Sequence, residues 1–164
     1  MIRRLRFVGL ALFVSTMAGI SPALAAGPCP FQGRVVAAGD HVDAALPPRY
    51  GGVGLDHLAG GGPVTHLGNT VQVGSLSLED PVGPGVFPGS GTVTITTANG
   101  DPVTFDDVGF LNAGTGVGFG TMAFTGGTGR FAGATGQGTF DAELDLSQPT
   151  NQAMTVILDG TITY

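Results

Sequence analysis

The sequence predicts an all-β fold, a small closed antiparallel barrel of about eight strands. Three observations predict it. Apolar residues recur with period 2, and no stretch of 12 residues after position 25 carries an uninterrupted i, i+3, i+4 apolar stripe. Glycine is abundant, at 30 of 164 residues, and it punctuates the alternating runs instead of forming one tract. No helical crossover separates the strands, so neighbours connect as antiparallel hairpins, and such a sheet removes its open edges by closing on itself.

The chain opens with a leader. Arg3, Arg4 and Arg6 precede an apolar run from Phe7 to Ile20, and Ala23-Leu24-Ala25 supplies a small-x-small cleavage pattern. The run is short of the roughly 20 residues that a membrane-spanning helix needs. Cleavage is expected after Ala25, with Ala26 as the neighbouring alternative. Phe7 is displaced from its place after a twin-arginine pair, which favours Sec export. Pro28 stands before Cys29 where a lipobox needs a small residue, which argues against a lipid anchor. The expectation is a signal peptide over residues 1–25 and one domain over 26–164, exported to the periplasm or the medium.

Residues 26–164 keep all 12 acidic residues and only Arg34, Arg49 and Arg130 as cations, with no lysine, a net charge of −9. Nucleic acid and anionic lipid both require cationic contacts, so neither is an expected partner. Cys29 is the only cysteine, so no internal disulfide forms. It sits among prolines before any strand pattern and reads as a terminal thiol, with an intermolecular disulfide or a thiol modification as alternatives. The length suits one domain with one core.

Taken in order, Arg34 to Ala38 is a short strand, and residues 44–63 carry glycine and proline without alternation, as an exposed loop would. In Thr70 to Leu78 the phase changes: Val71 and Val73 hold one parity, Leu76 and Leu78 the other. Gly74 lies between them, where a β-bulge would make the slip. Residues 79–91 read as a second loop, and long loops on a rigid scaffold are where binding concentrates. Gly91 to Phe105 reads as a hairpin, with Asn99-Gly100 offering the positive φ values of a tight I′ turn. Pro102 cannot donate to a ladder and belongs at a strand start or a free edge. Val117 to Thr125 is a further strand.

Gln137 to Leu146 is the clearest strand. Phe140, Ala142, Leu144 and Leu146 face one way, while Thr139, Asp141, Glu143 and Asp145 face the other, as in a sheet wetted on one side. Met154, Val156, Leu158 and Ile162 share a face of the last strand, Met154 to Tyr164.

Residues 125–140, TGGTGRFAGATGQGTF, join two of these strands. The chain must leave one strand near Thr125 and return near Gln137 with about ten residues between. Glycines supply positive φ and close backbone passage, and Phe131 folds inward as the plug of the corner. A phosphate cradle is disfavoured: the spacing is not G-x-G-x-x-G, a strand follows in place of a helix, and no P-loop lysine is present.

This segment resembles the one shared by allene oxide cyclase and dirigent barrels, with Gly126, Gly127, Thr128, Gly129, Phe131, Gly133 and Gly136 at the matching positions and Gln137 on the cyclase side. The resemblance takes in residues 115–164. A looser similarity to exported bacterial relatives covers THLGNT (65–70) and ANGDPVTF (98–105). It implies an eight-stranded antiparallel barrel of a kind often found as oligomers. The N-terminal half departs from the pattern, so no catalytic residue carries over.

Chemistry-bearing residues are sparse. His41-Val42-Asp43 and Asp56-His57 pair imidazole with carboxylate, and His66 stands at a strand start near the barrel mouth. Their spacing matches no compact zinc signature, and no metal or cofactor is expected. Asp40 to Asp43, Glu79-Asp80 and Asp106-Asp107 lack the calcium-loop pattern and read as solvated turns. No G-x-S-x-G occurs. Arg130 is expected to pair with an acid such as Asp106 or Asp141. His66 and Arg130 remain the candidate ligand contacts.

Three functions stay open. The first is an exported, non-enzymatic barrel that binds a small apolar ligand or a partner at its mouth. The second, by analogy of fold, is a cyclase or isomerase acting on an apolar substrate inside the barrel; it requires polar side chains from residues 34–38 and 65–73 to converge in a deep pocket. The third is a structural or assembly protein, possible as a homo-oligomer.

Overall fold

A computed structural model describes residues 27–39, 55–147 and 152–164. The expected leader, His41 and the proposed loop residues 44–54 lie outside the described residues. Eight strands follow in order: β1 (Cys29–Gly39), β2 (Leu55–Val64), β3 (Gly68–Leu78), β4 (Val86–Thr96), β5 (Pro102–Asn112), β6 (Val117–Gly127), β7 (Thr135–Leu144) and β8 (Gln152–Thr163). Each is antiparallel to the next, and β8 returns to β1 with an unbroken register from Cys29↔Ile162 to Gly39↔Gln152, closing the barrel. The fold class read from the sequence is the one observed.

Alternation explains which side chains fill the interior. On β8, Met154, Val156, Leu158 and Ile162 are buried, whereas Ile157 and Asp159 are exposed. On β7, Phe140, Ala142 and Leu144 share the inner parity. Leu146, expected on that face, lies beyond the strand end in a turn and is exposed.

An up-and-down barrel gathers its connections at two ends. One end holds the β2–β3 turn, the β4–β5 loop and the β6–β7 corner, and the main core cluster packs toward it around Phe31, Ile95, Phe124, Phe131 and Ile162. The other end holds the β3–β4 and β5–β6 connections together with the ends of β1, β2, β7 and β8, lined by a smaller cluster of Leu78, Phe87 and Leu111.

The corner is built as its glycines suggest. A single 3₁₀ turn, Gly129–Phe131, interrupts the path, and Phe131 is fully buried, with its ring edge-on to Tyr164 at 4.7 Å. Gly129 has φ 58°, and a Cβ there would run into the Asp101 carboxylate. Gly127 is needed for space, since its Cβ would meet the Pro102 carbonyl and stand 2.8 Å from Phe131 Cβ.

Several local expectations are corrected. Half of the supposed loop 44–63 is strand β2, where Gly60, Gly61 and Gly62 leave no side-chain period to read. The second supposed loop ends at Val86, where β4 begins. The slip does not lie on β3 itself, which pairs with β4 continuously from Val71↔Thr96 to Leu78↔Gly89; the irregularity is on the facing strand β2, between Leu55 and Leu58, opposite Leu76 and Gly74. Val71 and Val73 instead face solvent, and Thr70 and Gln72 face inward. The β4–β5 loop is not a two-residue I′ turn. Its loop residues are Ala98, Asn99 and Gly100, Thr97 N bonds Asp101 O at 3.1 Å, and Gly100 alone of the three has positive φ. Pro102 does open a strand, as expected. Cys29 is not a frayed end, because it begins β1 and packs partly against the core.

Candidate functional site: the barrel interior

Glycine at inward positions gives the barrel its internal shape. Gly109 on β5 and Gly120 on β6 face each other, and the Phe140 ring covers both, at 2.9 and 2.7 Å from the Cβ atoms they lack. Gly89 is covered by Leu78 in the same way. Large side chains thus lean over small ones, which is how a narrow barrel fills its taper. The filling is incomplete. A cavity in which water centres have about 60 Å³ of room runs inward from the end bearing the β3–β4, β5–β6 and β7–β8 connections. A single water needs roughly 10–15 Å³ by this measure, so the space holds several waters or a small organic molecule.

The walls are apolar, with Leu76, Val93, Phe105, Phe140, Val156 and Leu158 among them. Only two lining side chains are polar, Gln72 and Asp107. Both lie deep: Gln72 is the innermost lining residue of β3, and on β5 only Phe105 lies further in than Asp107. Gln72 is 3% exposed. Among the described residues, the buried side-chain atoms without a hydrogen-bond partner are Gln72 Oε1, Thr97 Oγ1, Asp107 Oδ1 and Gln152 Oε1. Of these four residues only Gln72 and Asp107 line the cavity. Buried polar atoms are nearly always paired, so an unpaired acceptor on each of two residues that line one apolar chamber marks a place where a donor is wanting.

Burial pushes the Asp107 carboxyl above its usual range, and the neighbouring Asp106 carboxylate adds to this. The amides of Asp107 itself and Gly91 offset part of the rise. The two consecutive acids are split by the pleat. Asp106 points outward and accepts a hydrogen bond from Thr92 Oγ1 at 2.8 Å, while Asp107 points inward. Asp106-Asp107 is therefore the middle of a strand, not the solvated turn the sequence suggested.

The two residues singled out as ligand contacts stand elsewhere. His66 is exposed in the β2–β3 turn at φ 64°, where Leu67 N closes the turn onto Val64 O at 3.0 Å. Arg130 sits in the corner, its guanidinium 4.6 Å from the Phe131 ring centroid and its Nε 3.9 Å from Asp101 Oδ2. Arg130 thus meets an acid as expected, but the acid is Asp101; Asp106 and Asp141 project from the outer face away from that end. Neither His66 nor Arg130 lines the chamber. The side chain of His57 lies outside the described residues. No group of three His, Cys, Asp or Glu among the described residues is placed to hold a metal ion.

The outer face carries the acids and a small apolar patch. Asp141 and Glu143 are exposed on β7. Asp145, just beyond it, accepts a bond from Ser147 N at 2.9 Å; the Ser147 hydroxyl and amide hold its carboxyl below the usual range. Phe110 and Phe119 oppose each other across β5 and β6 with ring centroids 5.9 Å apart, both largely exposed beside Val108 and Val117. No helix among the described residues is long and apolar enough to cross a membrane.

Sequence reasoning missed both polar residues of the chamber. Their only signal is positional: Gln72 alternates with Val71 and Val73, and Asp107 shares the parity of Val103, Phe105 and Leu111. No protein-family profile, curated protein or solved structure matches the chain.

Proposed function

We propose that this protein is an exported, non-catalytic barrel that holds a small apolar ligand in its interior, and that it is kin to the allene oxide cyclase and dirigent barrels. The observation that carries the binding reading is the chamber itself, an apolar cavity left open beside inward-facing glycines within a closed barrel. Apolar pockets with a few convergent polar groups are the usual form of small-molecule sites. The corner motif supports the kinship and the leader supports export.

The cyclase or isomerase alternative draws on Asp107, since a carboxyl whose proton affinity is raised by burial in an apolar chamber is suited to acid–base work. It draws less on β1, where Arg34 is exposed on the outer face.

The test is titration of the isotope-labelled protein with 1,4-dimethylbenzene, followed by amide chemical shifts. Saturable changes on β3, β5, β7 and β8 are expected, and Leu76→Trp, which fills the chamber from its wall, should abolish them. Changes confined to the outer surface, or a titration unaffected by Leu76→Trp, would overturn the reading.

A further inference from the structure

We propose that the chamber selects an uncharged apolar molecule carrying one hydroxyl group, which donates its proton to Gln72 Oε1 or Asp107 Oδ1. The inference rests on the binding reading above and specifies the ligand of the same site.

Charge narrows the class first. A carboxylate or phosphate ligand would face the unpaired oxygens of Gln72 and Asp107 in a chamber whose lining, among the described residues, contains no cation. Arg34 is exposed on the outer face of β1, and Arg130 belongs to the corner. The described lining therefore disfavours an anion. A cation would have to surrender its hydration to walls that are otherwise apolar, and ion pairs in such surroundings seldom repay that cost. Burial, moreover, favours the neutral form of Asp107.

Hydrogen-bond polarity narrows it further. Gln72 Oε1, a buried atom without a partner, is a carbonyl oxygen and can only accept. A ketone, ether or ester brings no proton to it and would leave it orphaned. A hydroxyl carries the proton that Gln72 Oε1 or Asp107 Oδ1 lacks, and it brings no charge into the apolar walls. The remaining surface of the ligand meets Leu76, Val93, Phe140 and Val156. Phe140 is only half-buried although it faces inward, so its ring is open to the chamber and can stack on a flat ligand.

The test compares 4-methylphenol with 1,4-dimethylbenzene, which have nearly the same shape and differ by hydroxyl against methyl, with 4-methylbenzylamine as a cationic third probe. Dissociation constants come from calorimetry or from the amide-shift titration. The native protein should bind the phenol at least about ten-fold more tightly than the hydrocarbon, because a site with waiting polar atoms penalises a ligand that leaves them unpaired. In Gln72→Leu and in Asp107→Leu the preference should fall toward one, with hydrocarbon affinity kept or improved. Gln72→Met serves as a second variant, and the native ratio needs no variant at all. Equal binding, or a native preference for the hydrocarbon, overturns the hydroxyl inference and leaves the apolar-carrier reading standing. Binding of the amine tighter than the phenol overturns it in favour of a cationic ligand. Failure of all three to bind overturns both readings together.

Discussion

The Asp107 carboxyl lies across Gly91, its partner on β4, so closely that a methyl group on Gly91 would stand 2.5 Å from Oδ1. The missing side chain on one strand makes room for the acid on the next. Gly91→Ala should therefore displace Asp107 and press on the Ser75 carbonyl, at a cost of about 1–3 kcal/mol by overpacking. Urea unfolding checks this, and an unchanged midpoint would show that the two residues do not constrain each other.

Asp107 also sets the sign of a pH effect. Its folded carboxyl titrates above the usual 3.8, so the folded state holds the proton to higher pH than the unfolded state does. The stability this contributes is complete below the unfolded value and is lost as pH rises through the raised one. Asp107→Asn cannot ionise. Its melting temperature should pull ahead of the native protein's as pH rises from the unfolded value of 3.8 through the raised folded one. Asp145 works in the opposite direction, but it is common to both proteins and cancels. A gap that narrows as pH rises would contradict the assignment.

At the opposite end, Gly129→Val should cost about 1–3 kcal/mol through its left-handed φ and its contact with Asp101. Because the corner takes no part in lining the chamber, hydrocarbon binding by the folded fraction should be unchanged. Denaturation and titration of the same variant separate the two effects.

The pair Phe110 and Phe119 lies outside the barrel, where its loss leaves the core intact. Phe119→Thr should cost about 0.5–1.5 kcal/mol, the worth of an aromatic pair. Light scattering on the same variant measures whether this patch drives self-association in the native protein.

The strands most legible in the sequence were β7 and β8, where apolar and polar residues alternate and the apolar ones face in. Alternation fixes a parity, but it does not say which parity is interior. On β3 the valines are the wet residues and Gln72 is the dry one, so a reading by hydropathy inverted the strand and called for a bulge at Gly74. Only the register against β4 and the closure of the sheet settle the face. β2 was illegible because Gly60 to Gly62 carry no side-chain signal, and its glycines are set by the close approach of β1 and β3. The corner was legible because positive φ and close passage leave few residues but glycine. The chamber was not, because a cavity is the absence of side chains from several strands distant in sequence.

The most direct measurement is a crystal structure of the protein under xenon pressure. Xenon enters dry apolar cavities large enough to hold it. Density is expected inside the barrel, against Phe140 and Leu76 and short of Gln72 and Asp107. Xenon found only on the outer surface, with the interior filled by side chains, would contradict the existence of the chamber.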